Sequence, residues 1–322
     1  MPSEDTPGLS KISVEWEPWQ IAFSPDGQRA YVAMCDPASE AASKGRVSVI
    51  DAEVNSVVTD IDIGGPFFGI LGGDLAITPE GRYLYVTGAH KVTVVNTTTN
   101  QVSAVIPTPD GFFSATGVAM APDGNRAFVL AQRGDQAGAM LIVDTSTHSI
   151  IDQVTLSFDP FGVEISPAGD RVYVSHSSDA GVMIDLETKE KKWLSFPFEG
   201  AFWMAVALDG ERAYVGRDHN DNVFVCNLST DTVKTAVPTM RNIGDVVITP
   251  DGRRVYVAQG GGHGDEPNVM VIDTSTDELT CCPASWFNAQ PRGMAITPDG
   301  RHAYVADSRH REVVIVPIPE PS

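Results

Sequence analysis

Apolar and polar residues alternate along this chain in short runs, and the runs recur. "AITPDGRHAYVADS" occupies residues 295–308, and near copies begin at Ala76 ("AITPEGRYLYVTGA"), Ala119 ("AMAPDGNRAFVLAQ") and Val247 ("VITPDGRRVYVAQG"). Each copy opens with an apolar run such as "GMAIT", turns at "PDG" or a variant, and continues in an alternating run such as "HAYVAD". A variable polar loop follows, then a pair of runs around a turn such as "DTSTD". Period-two alternation rich in Val, Ile and Tyr predicts strands. Proline presets φ, aspartate bonds its own backbone and glycine accepts positive φ, so "PDG" predicts a tight turn.

Four short strands repeating every roughly 40–50 residues predict a propeller blade. The first turns fall at Pro25–Gly27, Pro79–Gly81, Pro122–Gly124, Pro167–Gly169, Leu208–Gly210, Pro250–Gly252 and Pro298–Gly300. The fold expected is therefore all-β: one seven-bladed propeller of four-stranded antiparallel blades spanning residues 1–322. The last copy runs out after "EVVIVPI", while an orphan strand, Lys11–Trp16, precedes the first copy. That strand is expected to complete blade seven and close the ring, which removes two open sheet edges.

The runs "AYVA", "LYVT", "VYVS", "AYVG" and "VYVA" fall at one place in the copies, and with "VMVIDTSTDEL" they resemble the YVTN family of β-propeller repeats. The resemblance covers almost the whole chain. It implies the propeller fold strongly and the function weakly, because similar propellers include YncE-like proteins, surface-layer proteins, subunits of redox complexes and, more distantly, virginiamycin B lyase.

Strands alternate in direction, so the "PDG" and "DTSTD" turns share one rim. The loops between second and third strands share the other rim with the blade-to-blade crossings. The second rim is irregular, and irregular loops on a rigid scaffold are where function concentrates. Its crossings carry Trp16, Trp19, Phe67, Phe68, Phe112, Phe113, Phe158, Phe161, Phe196, Phe198, Phe202, Trp203, Trp286 and Phe287. Such aromatics either wall an apolar pocket at the channel mouth or wedge between blades. The pocket reading takes Trp19, Gln20, Phe68, Phe113, Phe161, Phe202, Trp203, Asp245, Trp286, Phe287 and Arg292 as substrate-binding residues.

The same rim holds five of the seven histidines, His90, His176, His219, His263 and His310. Each is a solvated loop residue, an acid–base group or a metal ligand. Aligned on the first turn, the copies place Ala22, Ala76, Ala119, Glu164, Ala205, Val247 and Ala295 at one position of the innermost strand. Glu164 is an acid where the repeat has a small apolar residue. Burial would raise its pKa and suit it to proton transfer, or an arginine from the next blade would pair it. Just upstream, near the mouth, stand Gln20, Asp74, Asp245 and Gly293, and Asp74 and Asp245 are expected to face each other across the channel. Glu164, His176, His219, Asp74, His90 and His310 are the catalytic candidates.

Composition narrows the chemistry. The formal charge of −20 argues against nucleic acid, because such a surface repels phosphate backbones. No apolar run is long enough for a membrane span. The start lacks the basic and apolar regions of a secretory signal, and the four cysteines (Cys35, Cys226, Cys281 and Cys282) form no C-x-x-C pair. Reduced thiols in the cytoplasm are the expectation. No phosphate-binding loop, dinucleotide fingerprint, nucleophile elbow or helical zinc pair occurs, so no organic cofactor is expected, and a metal would need ligands converging from separate blades at the ring axis. Two functions fit: an acid–base enzyme of lyase, isomerase or cyclase type acting on a hydrophobic or aromatic small molecule, or a non-catalytic interaction scaffold, including a subunit of a redox complex.

Overall fold

The computed structural model describes residues 9–36, 44–66, 73–134, 137–176, 181–195, 201–217, 221–239, 243–260, 269–284 and 289–319. These form seven four-stranded antiparallel sheets. The innermost strands are Glu17–Phe23, Leu75–Ile77, Ser114–Met120, Pro160–Ile165, Ala201–Val206, Ile243–Ile248 and Pro291–Ile296. Blades one to six each run outward in chain order. All seven first-turn glycines, Gly27, Gly81, Gly124, Gly169, Gly210, Gly252 and Gly300, have φ between 69° and 76°. That conformation strains any side-chain-bearing residue, which is why the turn ends in glycine.

Blade seven orders as Ser10–Ser13, Glu312–Pro317, His302–Asp307 and Pro291–Ile296, so the N-terminal strand does close the ring. Ile12 lies opposite Val313, and Val14 N–H donates to Arg311 O at 2.9 Å. The strand is shorter than the expected Lys11–Trp16. Beyond Val14 the chain departs to blade one, where the Arg46 guanidinium lies 4.1 Å over the Trp16 ring and bonds Glu15 at 2.7 Å.

Each blade buries both faces of its inner strands against its neighbours, as clusters of Val, Ile, Ala and Leu. Tyrosines from the second strands add a polar stitch at the first rim. Tyr85 OH meets His148 Nδ1 at 2.7 Å, Tyr304 OH donates to Asn55 Oδ1 at 2.5 Å, and Tyr214 OH donates to Asp277 Oδ1 at 2.7 Å. In each pair the tyrosine's partner closes the last hairpin of the next blade in a left-handed conformation, with φ of 51°, 51° and 57°. The Asp277 stitch is the most heavily charged: Lys234 Nζ lies 2.6 Å from Oδ2 and Arg212 3.4 Å from Oδ1, around a carboxylate only 1% exposed. Asp277→Ala strands the Tyr214 hydroxyl and uncouples both cations, an expected loss of about 2–4 kcal/mol. Asp277→Asn tolerates the same backbone and retains an acceptor. Urea unfolding of both variants checks this, and equal stabilities for Ala and Asn would show that the stitch contributes nothing.

The innermost strands are not regular. Six of the seven carry a register shift at the mouth end: Pro18/Gln20, Ala115/Val118, Pro160/Val163, Ala201/Trp203, Ile243/Asp245 and Pro291/Met294. A bulge inserts a residue and re-aims the side chains beside it. Repeated around the ring, it shapes the channel mouth.

Candidate functional site

The channel mouth opens into a cavity of about 800 Å³. Bulge residues Trp19, Phe161, Gly244 and Arg292 line it, with Trp203 one position past its own shift. Gln20, Asp74, His90, Phe113, Glu164 and Asp245 also line it, so ten of the residues singled out from sequence converge there. The deeper wall is apolar, with Val118, Val163, Met204, Val246 and Met294.

Asp74 and Asp245 occupy equivalent places in blades two and six, and both reach across a blade boundary. Asp74 accepts Leu75 N–H at 2.8 Å on Oδ1 and Val118 N–H of blade three at 3.0 Å on Oδ2. Asp245 accepts Val246 N–H at 2.8 Å on Oδ1 and Met294 N–H of blade seven at 2.8 Å on Oδ2. Gln20 takes the corresponding place in blade one. Its Oε1 accepts Ile21 N–H at 3.0 Å and its side chain hydrogen-bonds Asp245 beyond blade seven. Gly293 makes that reach possible: a Cβ there would sit 2.1 Å from Gln20 Oε1 and 2.4 Å from Trp19 O. Gly293→Ala must therefore displace Gln20 and the blade-one bulge, at an expected cost of about 1–3 kcal/mol. Paired melting curves check this, and an unchanged melting temperature would show that the mouth is loosely packed.

Glu164 stands two residues deeper on blade four, on the same face as Asp74 and Asp245 because side chains alternate along a strand. Its carboxyl is pushed up to about 8, first by burial and then by the negative charges of Asp74 and Asp245. Burial raises Asp245 to about 7 and Asp74 to about 6; in both, the backbone N–H bonds pull the other way. Asp74 and Glu164 keep a strip of surface on the channel although they lie deep within the ring. No ion pair to Glu164 occurs among the described residues, so the arginine partner weighed from sequence is not found there. The arginine at the mouth, Arg292, instead lays its guanidinium 4.5 Å over the Trp19 ring.

His90 reaches the cavity from the two-residue loop between Gly88 and Lys91, in a left-handed conformation with φ of 59°. Its Nδ1 lies 3.3 Å from Phe112 O. With the proton on Nδ1 in that contact, Nε2 is left as an acceptor.

Two expected histidines stand elsewhere. His176 is 4% exposed and packs edge-on against Phe158 at 4.7 Å, so it fills an interior site instead of the cavity wall. His310 is turned back onto buried Asp307, Nδ1 to Oδ2 at 2.6 Å, while Asp307 Oδ1 accepts Gln290 N–H at 3.0 Å. That pair braces the blade-seven crossing and does not line the cavity. Phe68, His219, Trp286, Phe287 and the Phe202 side chain lie outside the described residues.

The sequence reading missed Gln132, Ser114 and Thr116, all of which line the cavity. Gln132 Nε2 and Thr116 Oγ1 both donate to Pro160 O, at 2.9 and 3.0 Å, fixing the bulge that presents Phe161. Their place depends on the bulges, which the repeat does not announce. Among the described residues, no three His, Cys, Asp or Glu side chains converge to hold a metal ion, and no helix is long and apolar enough to cross a membrane.

No curated protein matches the chain. A solved chain from Kuenenia stuttgartiensis hydrazine synthase is similar in fold, with a TM-score of 0.75 and 19% identity over 98% of this chain and 99% of that one. Residues 199–321, which carry Trp203, Asp245 and Arg292, are similar to the family described as lactonase, 7-bladed beta-propeller.

Proposed function

We propose that the chain binds a hydrophobic or aromatic small molecule in the axial cavity and transfers a proton to or from it, as a lyase, isomerase or cyclase does. The observation that carries this is the place of Glu164 at the wall of a largely apolar cavity, where burial and the charges of Asp74 and Asp245 push its carboxyl up to about 8. A carboxylic acid still protonated near neutral pH is a general acid, and its conjugate base is a general base of matched strength. Burial, and after it the negative charges of Asp74 and Asp245, keep the proton on Glu164. His90 offers a second proton acceptor on the wall, and Phe161 and Trp203 hold the apolar body of the substrate. This chemistry needs neither a metal nor an organic cofactor.

The depth of the cavity supports a ligand over a flat docking platform, which would present an exposed apolar patch instead. The lactonase likeness of residues 199–321 adds ring-opening of lactones to the reactions worth testing. The test is turnover of a panel of enones, β-elimination substrates and lactones by the native protein and by Glu164→Gln. The expected result is a substrate whose kcat falls about 100-fold or more in the variant with folding intact. Equal turnover by both proteins overturns the assignment.

A further inference from the structure

We propose that the cavity is built for an organic cation: an amine whose ammonium group sits among Asp74, Glu164 and Asp245 and whose apolar body lies against Phe161 and Trp203. This deepens the reading above, on which it rests, by naming the substrate class.

Charge is unbalanced within the one cavity. Three carboxyl groups, from blades two, four and six, line a single cavity. The fixed cation among the described lining residues is Arg292, and its guanidinium lies on the Trp19 face. The other titratable lining group is His90, whose Nδ1 faces Phe112 O. Buried carboxylates without a counter-charge are costly, and chains retain them where a ligand supplies the charge.

Two of the three carboxylates are held in place and still able to accept. Each oxygen of Asp74 and Asp245 takes one backbone N–H, from its own strand or from the next blade, and Asp245 takes a further hydrogen bond from the Gln20 side chain. A carboxylate oxygen can accept twice, so acceptor capacity remains after these bonds are made. They fix both groups without neutralising them.

Phe113, Phe161, Trp19 and Trp203 surround the space, and aromatic faces attract cations through their quadrupoles while burying an apolar body. An inorganic ion does not fit as well, because no three acidic, histidine or cysteine side chains among the described residues converge on one point. An ammonium group needs only one of the carboxylates within hydrogen-bond reach, and the other two add attraction at longer range. The formal charge of −20 favours the approach of such a ligand and repels its anionic analogues.

Binding then has a protonic signature. Burial and mutual repulsion favour the neutral carboxyls in the empty cavity, and an arriving cation favours the ionised forms. Protons must leave as the amine binds, and affinity must rise with pH until the amine itself deprotonates.

The test uses the full chain and calorimetry with phenethylamine and its neutral isostere phenethyl alcohol, in buffers of different ionisation enthalpy, at about pH 6 and about pH 8. The expected result is at least about 10-fold tighter binding of the amine at the higher pH, with proton release, and loss of that preference in Glu164→Gln and Asp245→Asn. Equal affinity for amine and alcohol overturns the cation assignment and leaves the acid–base reading standing. Binding of neither overturns both. Tight binding of Mn²⁺ alone, in competition with the amine, overturns it in favour of a metal site.

Discussion

Glu164→Gln is expected to stabilise the protein at about pH 8.5 and to leave it nearly unchanged near pH 5. A carboxyl whose folded pKa is raised contributes stability that is present below its unfolded pKa and lost as pH rises through the folded value. For Glu164 that window runs from 4.5 to about 8. Above it the native protein holds a charge in the ring that glutamine never carries. Allowing for channel water, the gain at the higher pH is about 2–4 kcal/mol, or roughly 3–6 °C in melting temperature for a chain of this size. Asp74 and Asp245 act in the same direction over lower windows, ending near 6 and near 7. The turn aspartates act in the opposite direction: hydrogen bonds from Ser24 to Asp26 and from Thr297 to Asp299 hold those carboxyls low, so their stability is lost as pH falls. Melting curves of the two proteins across pH separate these contributions. A variant that parallels the native protein at every pH would show that Glu164 ionises normally.

Removing residues 1–14 should lower the melting temperature by about 10 °C or more and promote association, even though the cut lies at a chain end. The segment contributes the outer strand of blade seven, with Ile12 and Val14 buried and the ladder to Glu312–Pro317. Burying two such side chains contributes about 3–6 kcal/mol, and a few ladder hydrogen bonds add about 1 kcal/mol each before the entropy of ordering the segment is subtracted. The truncation also leaves a bare edge at Glu312–Pro317, and ring closure through blade seven fails with it. Calorimetry and light scattering at several concentrations check both effects. An unchanged, monomeric transition would mean that the ring does not depend on this strand.

The architecture was legible because each blade repeats its turn chemistry. Seven glycines at positive φ sit where the "PDG" pattern places them, and the orphan strand finds its edge in blade seven. The axial carboxylates were legible for the same reason, since an alignment on the turns exposes Glu164 against alanines and sets Asp74 and Asp245 on the channel. The bulges were not. They depend on how one innermost strand meets the next, as where Gly293 passes beneath Gln20 or Gln132 holds Pro160. A single strand's alternation carries no trace of that. The histidines misled for a related reason. His176 and His310 share the rim of the mouth, but contacts with Phe158 and Asp307 draw them away from the cavity. The tyrosine stitches join two recurring positions, the tyrosine of the second strand and the last turn, but no single copy shows that they pair across a blade boundary.

The account stands on one carboxyl holding its proton near neutral pH inside the channel. A pH titration of carboxyl-¹³C-labelled glutamate by NMR, with Glu164→Gln identifying the resonance, reads that proton directly. The account predicts a midpoint near 8 for Glu164. A midpoint near the ordinary glutamate value of about 4.3 would contradict it.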